Sequence, residues 1–322
     1  MPNTNLKASP LIYGCMRATG GQDMRNHTSE AVRHARETVE AALECGINFF
    51  DHADIYGSGD CEEAFGHVLK ERPSLREEIV IQTKCGIRKA HEPMGSSPAR
   101  YDFSYDHIVN SAEQSLQRLG IETIDILLLH RPDPLAEPAE VARAFEHLHS
   151  SGKARYFGVS NHSGYQIELL KRSIDQPLVA NQLQFSLFHS GLIDAGTLVN
   201  QKRPEFHYPG EGTLEYCQLH SVSIQAWSPL AGGALGMIAQ DKRAAPTLPE
   251  TRGLVQQMAE AKNVSPEAIL LAWIFRHPAG IQPVIGTTNT KRIRACGEAT
   301  NISLSREEWY TLYTTARGLP TG

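Results

Sequence analysis

The sequence lacks the features that mark secreted, membrane and metal-binding proteins. It has six cysteines in 322 residues, and none forms a C-x-x-C pair or has a histidine at metal-ligand spacing. This scatter is typical of a reducing compartment rather than of a disulfide framework. No run approaches the roughly 18 apolar residues of a membrane span, and the opening "MPNTNLKASP" lacks the apolar core of a signal peptide. We therefore expect a cytoplasmic protein without a metal site.

The sequence also lacks an excess of positive charge. It has 31 lysines and arginines against 36 aspartates and glutamates, a formal net charge of −5. A chain without a basic excess is a poor candidate for nucleic-acid binding, so we expect a small-molecule partner. No linker and no internal repeat divides the chain. We therefore predict a single domain over residues 1–322, in which residues 1–9 form a short N-terminal tail.

Short apolar runs alternate with amphipathic stretches along most of the chain. Runs rich in Ile, Val and Leu that do not alternate with polar residues are typical of strands buried on both faces. The predicted strands are 11–16, 47–51, 78–84, 124–130, 154–160, 178–184, 222–228 and 281–286. Helical spacing predicts helices over 29–46 with Ser29 as cap, 106–120 with Asp106 as cap, 137–152, 265–278 and 305–318.

This alternation predicts an α/β protein with parallel strands, because each crossover contains a helix. Eight such units in a chain longer than roughly 250 residues favour a (β/α)8 TIM barrel with additional helices. The alternative is a doubly wound open sheet, but "GCMRATGG" after the first strand is not the G-x-G-x-x-G phosphate turn of that fold. Three long stretches, 85–104, 186–212 and 229–248, follow strands. We expect them to lie at the C-terminal face of the barrel.

Chemically active side chains occur where the predicted strands end. Asp51 ends the second strand and Tyr56 follows it, Lys84 ends the third, and His130 ends the fourth. A phenol titrates near 10, and one ammonium about 4 Å away is of the right size to bring its pKa toward neutral. A neutral His130 would hold a carbonyl by a hydrogen bond. This set protonates an alkoxide, and the hydride for a carbonyl reduction would have to come from a cofactor.

Each of these residues also has a purely structural interpretation. His130 alone could be a satisfied buried histidine, and Trp227 alone could be a core aromatic residue. Ser160 and Asn161 could cap a helix that begins near Ser163. Arg131 and Asp133 could pair in the turn "RPDP", whereas an unpaired Arg131 would bias the substrate toward anions.

Seven segments in order resemble the successive motifs of the aldo-keto reductase superfamily. They are "FFDHADIYG", "IQTKCGI", "ILLLHRPDP", "GKARYFGVSN", "NQLQF", "AWSPL" and "PVIGTTNTKRI". The resemblance runs from about residue 10 to residue 316 and is greatest to a bacterial branch of uncharacterised oxidoreductases. It implies the (β/α)8 fold, NADP-dependent carbonyl reduction, and a catalytic tetrad of Asp51, Tyr56, Lys84 and His130.

The resemblance also implies cofactor-binding residues. These are Ser160, Asn161 and Gln182 for the nicotinamide carboxamide, Trp227 for the nicotinamide ring, Ser228, Pro229, Leu230 and Gly232 for the pyrophosphate, and Ile285, Thr287, Thr288 and Arg292 for the adenosine 2′-phosphate, with Met16 and Arg17 lining the site. Many members carry lysine where this chain has Gly286, and Glu-Asn where it has Ala295 and Cys296. The NADP(H) contacts are therefore reduced, and NAD(H) is the less favoured alternative cofactor.

Two other functions remain open at this point. The first is an NADPH-binding sensor or regulatory module with slow turnover, which the same residues would permit. The second is a barrel hydrolase or isomerase that works through Asp51 and Glu62 or Glu63. A glycosidase needs two carboxylates that flank the substrate, and no second carboxylate ends a predicted strand.

Overall fold

The computed structural model describes residues 1–20, 29–92, 96–199, 210–232 and 247–318. Its strands are β1 (Ile12–Gly14), β2 (Phe49–Asp51), β3 (Val80–Cys85), β4 (Ile87–Arg88), β5 (Arg100–Tyr101), β6 (Ile124–Leu129), β7 (Ala154–Ser160), β8 (Leu178–Gln184), β9 (Ser223–Trp227) and β10 (Gln282–Ile285). Its α-helices are α1 (Ser29–Glu44), α2 (Asp60–Glu71), α3 (Leu75–Glu78), α4 (Tyr105–Leu119), α5 (Pro138–Ser150), α6 (Gly164–Lys171), α7 (Gly191–Thr197), α8 (Thr213–Leu219), α9 (Leu248–Lys262), α10 (Pro266–Phe275), α11 (Thr290–Gly297) and α12 (Arg306–Arg317). Short 3-10 turns cover Cys15–Arg17, Tyr56–Gly59 and Glu298–Asn301.

Eight parallel strands close into a barrel in the order β1, β10, β9, β8, β7, β6, β3, β2. Each coincides with a predicted strand, and several are shorter by a residue or two at their ends. The (β/α)8 barrel is confirmed, and the doubly wound open sheet is excluded because the sheet has no edges. The remaining strands, β4 and β5, pair antiparallel as a separate hairpin. This hairpin lies in the stretch 85–104, which the sequence did not assign to any element.

The barrel strands are apolar because both of their faces are buried. All six residues of β3 and all six of β6 are buried, since one face packs inside the barrel and the other packs against helices. Gly158 allows β7 to approach its neighbours closely. A Cβ atom there would lie 2.6 Å from Leu128 Cδ2 and 2.7 Å from the backbone oxygen of Ala180.

The interior of the barrel has an apolar layer and a polar layer. Phe49, Val80 and Ile126 belong to one buried apolar cluster. Two residues further along β2 and β3, on the same face of each strand, are Asp51 and Gln82. The inward-facing side chains of these strands are therefore apolar in the first layer and polar in the next, toward the C-terminal ends. The candidate site forms at that end of the barrel.

Helix α4 begins one residue before the predicted helix, and its predicted cap was wrong. Ser104 is the N-cap, because its backbone is extended and its hydroxyl accepts from the backbone N–H of His107 at 3.4 Å. Asp106 instead lies inside the first turn. Ser29 is the first described residue of α1, and the residues before it lie outside the described ranges. Its role as the N-cap stays a prediction. The sequence analysis did not identify α2, which supports the candidate site.

The two other long stretches are described only in part. The stretch 186–212 contains α7, and its residues 200–209 lie outside the described chain. In 229–248, residues 233–246 lie outside it as well. Among the helices that the structure describes, none is both long and apolar enough to cross a membrane.

Candidate active site

Lys84 joins Asp51 and Tyr56 at the C-terminal end of the barrel. Its ammonium donates to Asp51 Oδ2 at 2.7 Å, to the His52 carbonyl at 2.8 Å and to the Tyr56 hydroxyl at 3.0 Å. These contacts use all three N–H donors of the lysine. Because Lys84 donates to the phenol oxygen, the phenol proton is left free to point toward a ligand.

A left-handed turn places Tyr56 above the barrel. The 3-10 turn that begins at Tyr56 contains Gly57 and Ser58, with φ values of 59° and 61°. A left-handed conformation is costly for a serine, and such strain concentrates at functional sites. The preceding loop is bonded to β3, because the Asp54 N–H donates to the Lys84 carbonyl at 3.0 Å. The turn is thus fixed on the strand that carries the lysine.

Burial and charge have opposite effects on the Tyr56 phenol. Burial raises the pKa of Tyr56 and the charge of Asp51 raises it too, whereas the Lys84 ammonium lowers it; the net direction is upward. The prediction that Lys84 alone brings this pKa toward neutral was therefore wrong, because burial of the phenol, with the charge of Asp51, outweighs the effect of the lysine on the pKa. For Lys84 itself, burial lowers the pKa, but Asp51 and Tyr56 more than offset this, so the pKa is raised and the ammonium stays charged.

His130 lies beside Tyr56 as a neutral imidazole. The two rings meet edge to face with centroids 6.0 Å apart. Burial lowers the pKa of His130 to about 2, and the charges of Lys84 and Arg131 add to this effect. Its Nδ1 atom is buried and has no hydrogen-bond partner among the described residues. His130 is therefore uncharged at neutral pH, where its imidazole can donate or accept a hydrogen bond.

A layer of three glutamines holds Asp51, and the sequence analysis missed two of them. Gln82 and Gln182 donate to Asp51 Oδ1 at 2.6 and 3.0 Å. Both also donate to Gln225 Oε1, at 2.8 and 3.0 Å, and Gln225 donates back to Gln82 Oε1 at 2.9 Å. The signal for Gln82 and Gln225 was available, since each precedes a predicted site residue, Lys84 or Trp227, by two positions on the same strand face. The side chain of Gln182, predicted to meet the cofactor, is directed into this layer.

A second buried polar group, centred on Glu62, lies next to the Tyr56 loop. Glu62 on α2 accepts from Thr83 Oγ1 at 2.6 Å and from Arg118 Nε at 2.7 Å. Burial and the nearby Glu62 raise the pKa of Asp54 to about 7. Because both Glu62 oxygens are engaged away from the barrel mouth, Glu62 is not placed as a hydrolytic partner of Asp51.

Ser160, Asn161 and Trp227 form one connected group beside His130. Asn161 Nδ2 donates to Ser160 Oγ at 2.8 Å and to the His130 carbonyl at 3.3 Å, and Trp227 Nε1 donates to Asn161 Oδ1 at 3.0 Å. Ser160 and Asn161 do not cap the next helix, because Ser163 does so with a complete capping box. Asn161 instead has a left-handed φ of 61°, as expected for a strained residue at a site.

The turn after β9 contains three residues with a left-handed backbone. Ser228, Ala231 and Gly232 have φ values of 53°, 48° and 70°, and Ala231 was not predicted. The Ala231 N–H donates to the Ser228 carbonyl at 2.9 Å, and Pro229 has no N–H to offer a ligand. Pro229 is buried and Leu230 partly buried in this turn. The pyrophosphate role of this turn stays a prediction.

Arg292 lies at the start of α11, close to the end of β10. Its Nε atom is 3.0 Å from Glu267 Oε1, so part of its charge is compensated. Ile285 is buried, whereas Thr287 and Thr288 are partly exposed. The side chain of Arg292 is 38% exposed, and its guanidinium has further N–H groups that could bind a phosphate. The residues present fit an adenosine 2′-phosphate, with fewer positive charges than a site that also carries lysine.

Met16 and Arg17 lie on an exposed turn directly after β1. Met16 is 42% exposed, and its carbonyl accepts from Cys61 Sγ at 3.3 Å. The turn therefore neighbours the N-terminus of α2 and the Tyr56 loop. Among the residues covered by the structure, no group of three or more His, Cys, Asp or Glu side chains is arranged to hold a metal ion.

Comparisons with known proteins agree with this geometry. The Aldo/keto reductase family model matches residues 10–315. The chain is 38% identical over 317 residues to the uncharacterised oxidoreductase YcsN of Bacillus subtilis, covering 98% of this chain and 96% of the relative. It is 37% identical over 314 residues to a 6-dehydroglucose reductase of Agrobacterium fabrum, covering 97% and 96%.

A solved structure extends the likeness to the fold. The glycerol dehydrogenase AKR11B4 from Gluconobacter oxydans superposes with a TM-score of 0.81 at 23% identity, covering 100% of this chain and 95% of that one. Aldo-keto reductases use nicotinamide cofactors and act on small molecules. From the family match, the two full-length relatives and the barrel, the chain belongs to the aldo/keto reductase family and is an oxidoreductase that reduces carbonyl compounds.

Proposed function

We propose that this protein is an NADPH-dependent reductase of aldehydes or ketones in which Tyr56 is the general acid, supported by Lys84, Asp51 and His130. The observation that carries the proposal is the position of Lys84, bonded at once to Asp51 and to the Tyr56 hydroxyl. The nicotinamide, when bound, supplies the hydride. The chain's own residues then have to hold the carbonyl and deliver one proton to its oxygen.

The pKa directions divide these two tasks between Tyr56 and His130. His130, with a pKa of about 2, is neutral and holds the carbonyl oxygen through a hydrogen bond. Tyr56, with a raised pKa, is protonated throughout the neutral range and can give its proton. The phenolate formed lies 3.0 Å from the Lys84 ammonium, which stabilises it. Two groups with pKa values pushed in different directions are the pattern expected of an acid and its partner.

We further propose the cofactor placement implied by the family. Trp227 offers its ring face to the nicotinamide, and Ser160 and Asn161 offer hydrogen-bonding groups beside that ring. The turn at Ser228, Pro229, Leu230 and Gly232 would bind the pyrophosphate, and Ile285, Thr287, Thr288 and Arg292 the adenosine end, with Met16 and Arg17 at the rim. The Gln182 amide already donates to Asp51 and to Gln225. Gln182 would contact the carboxamide only by giving up one of these hydrogen bonds or by sharing it with the cofactor.

Tyr56→Phe tests the acid role, because it removes only the hydroxyl. We expect NADPH affinity within a few-fold of wild type and a turnover loss on the order of 10²–10⁴, the usual contribution of a general acid. The measurement is multiple-turnover oxidation of NADPH with a panel of aldehydes and ketones that includes 6-dehydroglucose, and cofactor affinity by fluorescence. Tyr165→Phe, at a tyrosine that is 88% exposed, is the matched control. A Tyr56→Phe enzyme with half the wild-type rate would end the assignment.

The same assay separates the reductase from a regulatory module that binds NADPH and turns over slowly. A reductase oxidises many equivalents of NADPH at rates that depend on the carbonyl offered. A sensor would bind NADPH tightly and stop near one equivalent with every compound tested.

A further inference from the structure

Arg131 is a cation without a charged partner in the site. It follows His130 directly, and within the described ranges no carboxylate oxygen lies within 4.0 Å of its guanidinium. The Trp227 ring centroid lies 5.6 Å from the Arg131 guanidinium carbon. A partly buried arginine with no counter-ion leaves its planar set of N–H donors available.

The carboxylate that could neutralise Arg131 is engaged elsewhere. Asp133 Oδ2 accepts from the backbone N–H of Phe103 at 2.9 Å, and Asp133 Oδ1 accepts from that of Leu135 at 2.9 Å. Asp133 thus holds the turn to the segment before α4, and the interpretation of "RPDP" as an Arg131–Asp133 pair is wrong.

Arg131 is connected through Trp227 and Asn161 to the backbone of His130. It stacks near Trp227, Trp227 bonds to Asn161, and Asn161 bonds to the His130 carbonyl. The positive charge of Arg131 is close enough to contribute to the lowered pKa of His130. The guanidinium therefore lies beside the residue that we assign to the carbonyl oxygen.

Two of the other cations near the mouth are compensated by carboxylates. Lys84 is compensated by Asp51 and Arg88 by Asp102. Lys89 adds positive charge on the rim, where its Nζ lies 2.5 Å from Ser58 Oγ. The mouth of the barrel thus carries positive charge although the whole chain is acidic, and such a field raises the local concentration of anions.

We propose that Arg131 is a specificity residue that binds the carboxylate of a small carbonyl substrate while His130 and Tyr56 hold its carbonyl. The proposal rests on the proposed function and names its substrate class, carboxylated aldehydes and ketones. A guanidinium matches a carboxylate with two parallel hydrogen bonds. Contact with Trp227 limits its motion, so less side-chain freedom is lost on binding.

Matched pairs of substrates test this proposal. The pairs are 4-formylbenzoate with 4-formylbenzamide and pyruvate with pyruvamide, which differ in charge and hardly in shape. Wild type should favour each acid in kcat/KM. In Arg131→Met, which keeps an unbranched stem, the acids should lose about 10–150-fold, as for charge-assisted hydrogen bonds, and the amides should stay within about 3-fold. Arg131→Lys should be intermediate, because it keeps the charge and loses the planar fork.

Two controls distinguish direct contact between Arg131 and the substrate carboxylate from a general effect of positive charge at the mouth. Lys89→Met removes a rim cation and should lower the acid preference by less than about 3-fold; a loss as large as that of Arg131→Met would overturn the proposal. NADPH affinity should be unchanged in Arg131→Met. Equal loss for acids and amides together with weaker NADPH binding would show that Arg131 serves the cofactor instead.

A binding measurement keeps the test independent of turnover. Benzoate and benzamide are titrated by calorimetry into wild type and Arg131→Met, each saturated with NADP⁺. Benzoate should bind more tightly than benzamide to wild type only. If no carbonyl compound is reduced, the proposed function fails while this titration still decides the role of Arg131. The same acid-to-amide ratio and the same benzoate affinity in both proteins would refute it.

Discussion

At the residue scale, the ionisation of Tyr56 depends on how completely its neighbour is paired. Lys84 is fully buried and lies 2.7 Å from a carboxylate that is itself 2% exposed. The positive charge of Lys84 and the negative charge of Asp51 largely cancel at the Tyr56 hydroxyl. The pair therefore does not offset the free-energy cost of burying a phenolate. The phenol therefore stays protonated before reaction. The ammonium is nevertheless in contact with the oxygen where negative charge develops, which is the arrangement that stabilises a transition state.

Gly286 offers a test of cofactor choice by gain of function. A Cβ atom at Gly286 meets no other atom within 4 Å, and the residue is exposed, so Gly286→Lys should fold normally. A lysine there would add a second cation near Arg292, which shares its charge with Glu267. We expect the ratio of NADPH to NADH in kcat/KM to rise about 10-fold, because a hydrogen bond to a charged group contributes about 1.5–3 kcal/mol.

Gly286→Gln is the control, because it adds a side chain of similar length without charge. It should leave the ratio within about 2-fold of wild type. The gain from lysine should shrink at high salt, since the site is exposed. A lysine variant with an unchanged ratio would contradict placement of the 2′-phosphate near Arg292.

At the element scale, three strands combine to orient one carboxylate. Gln82 on β3, Gln182 on β8 and Gln225 on β9 lie at the same level of the barrel, where Gln182 is paired in register with Gln225. Because Gln225 Oε1 accepts from both other amides, each of them turns its N–H side toward Asp51. Gln225 does not touch Asp51 in this arrangement. It acts as a positioning residue through the other two.

Gln225→Met should disturb the orientation of Asp51 while it keeps the volume of the side chain. We expect kcat to fall about 10-fold, with KM and NADPH affinity within a few-fold of wild type. The cost reflects loss of an amide that fixes hydrogen bonds to a charged group. The measurement is kcat as a function of pH, because a less well-held Asp51–Lys84 pair should shift the profile.

Ser223→Ala, two residues earlier on the same face of β9, is the control and should leave the profile unchanged. A Gln82→Met and Gln225→Met double variant should lose less than the product of the single losses, since both belong to one network. Lower unfolding free energy with unchanged kcat and pH profile would show that the glutamine layer is only structural.

At the scale of the whole molecule, the barrel has one buried, ion-paired aspartate near each end. Asp51 ends β2 at the site, whereas Asp125 lies near the start of β6 at the opposite end. Asp125 accepts from the Ile81 N–H at 2.8 Å and pairs with Arg76 at 2.9 Å and Arg155 at 3.1 Å. It lines a groove of about 1810 Å³ on that opposite face. In such barrels chemistry lies at the C-terminal face and the other face serves stability.

Asp125→Asn should therefore lower stability and spare activity. We expect the free energy of unfolding in urea to fall by about 3 kcal/mol, the lower end for breaking a buried pair, because both arginines are partly exposed. The kcat/KM value at 25 °C should stay within about 2-fold. Asp51→Asn also breaks a buried ion pair, so it should lower stability as well, but with a large loss of turnover. Equal activity losses in the two variants would refute this division of the barrel.

The sequence alone determined the fold and the identity of the residues at the strand ends. Strands buried on both faces are recognisable as uninterrupted apolar runs, and all eight barrel strands were predicted within a few residues. The predicted helices 265–278 and 305–318 begin at Ser265 and Ser305, which are the N-caps of α10 and α12. The motif order placed Asp51, Tyr56 and Lys84 at successive strand ends, and the structure brings these three together.

Only the tertiary structure decided which groups are partners. Asp133 is two residues from Arg131, yet it bonds to Phe103 and Leu135, because the chain folds the segment before α4 onto it. The direction of the Tyr56 pKa depends on burial, and the glutamine layer depends on strands far apart in sequence. Local patterns determine which residues form a strand or a helix. Which charges are compensated, and how buried amides are oriented, depends on distances across the barrel. Those distances cannot be read from the order of residues in the chain.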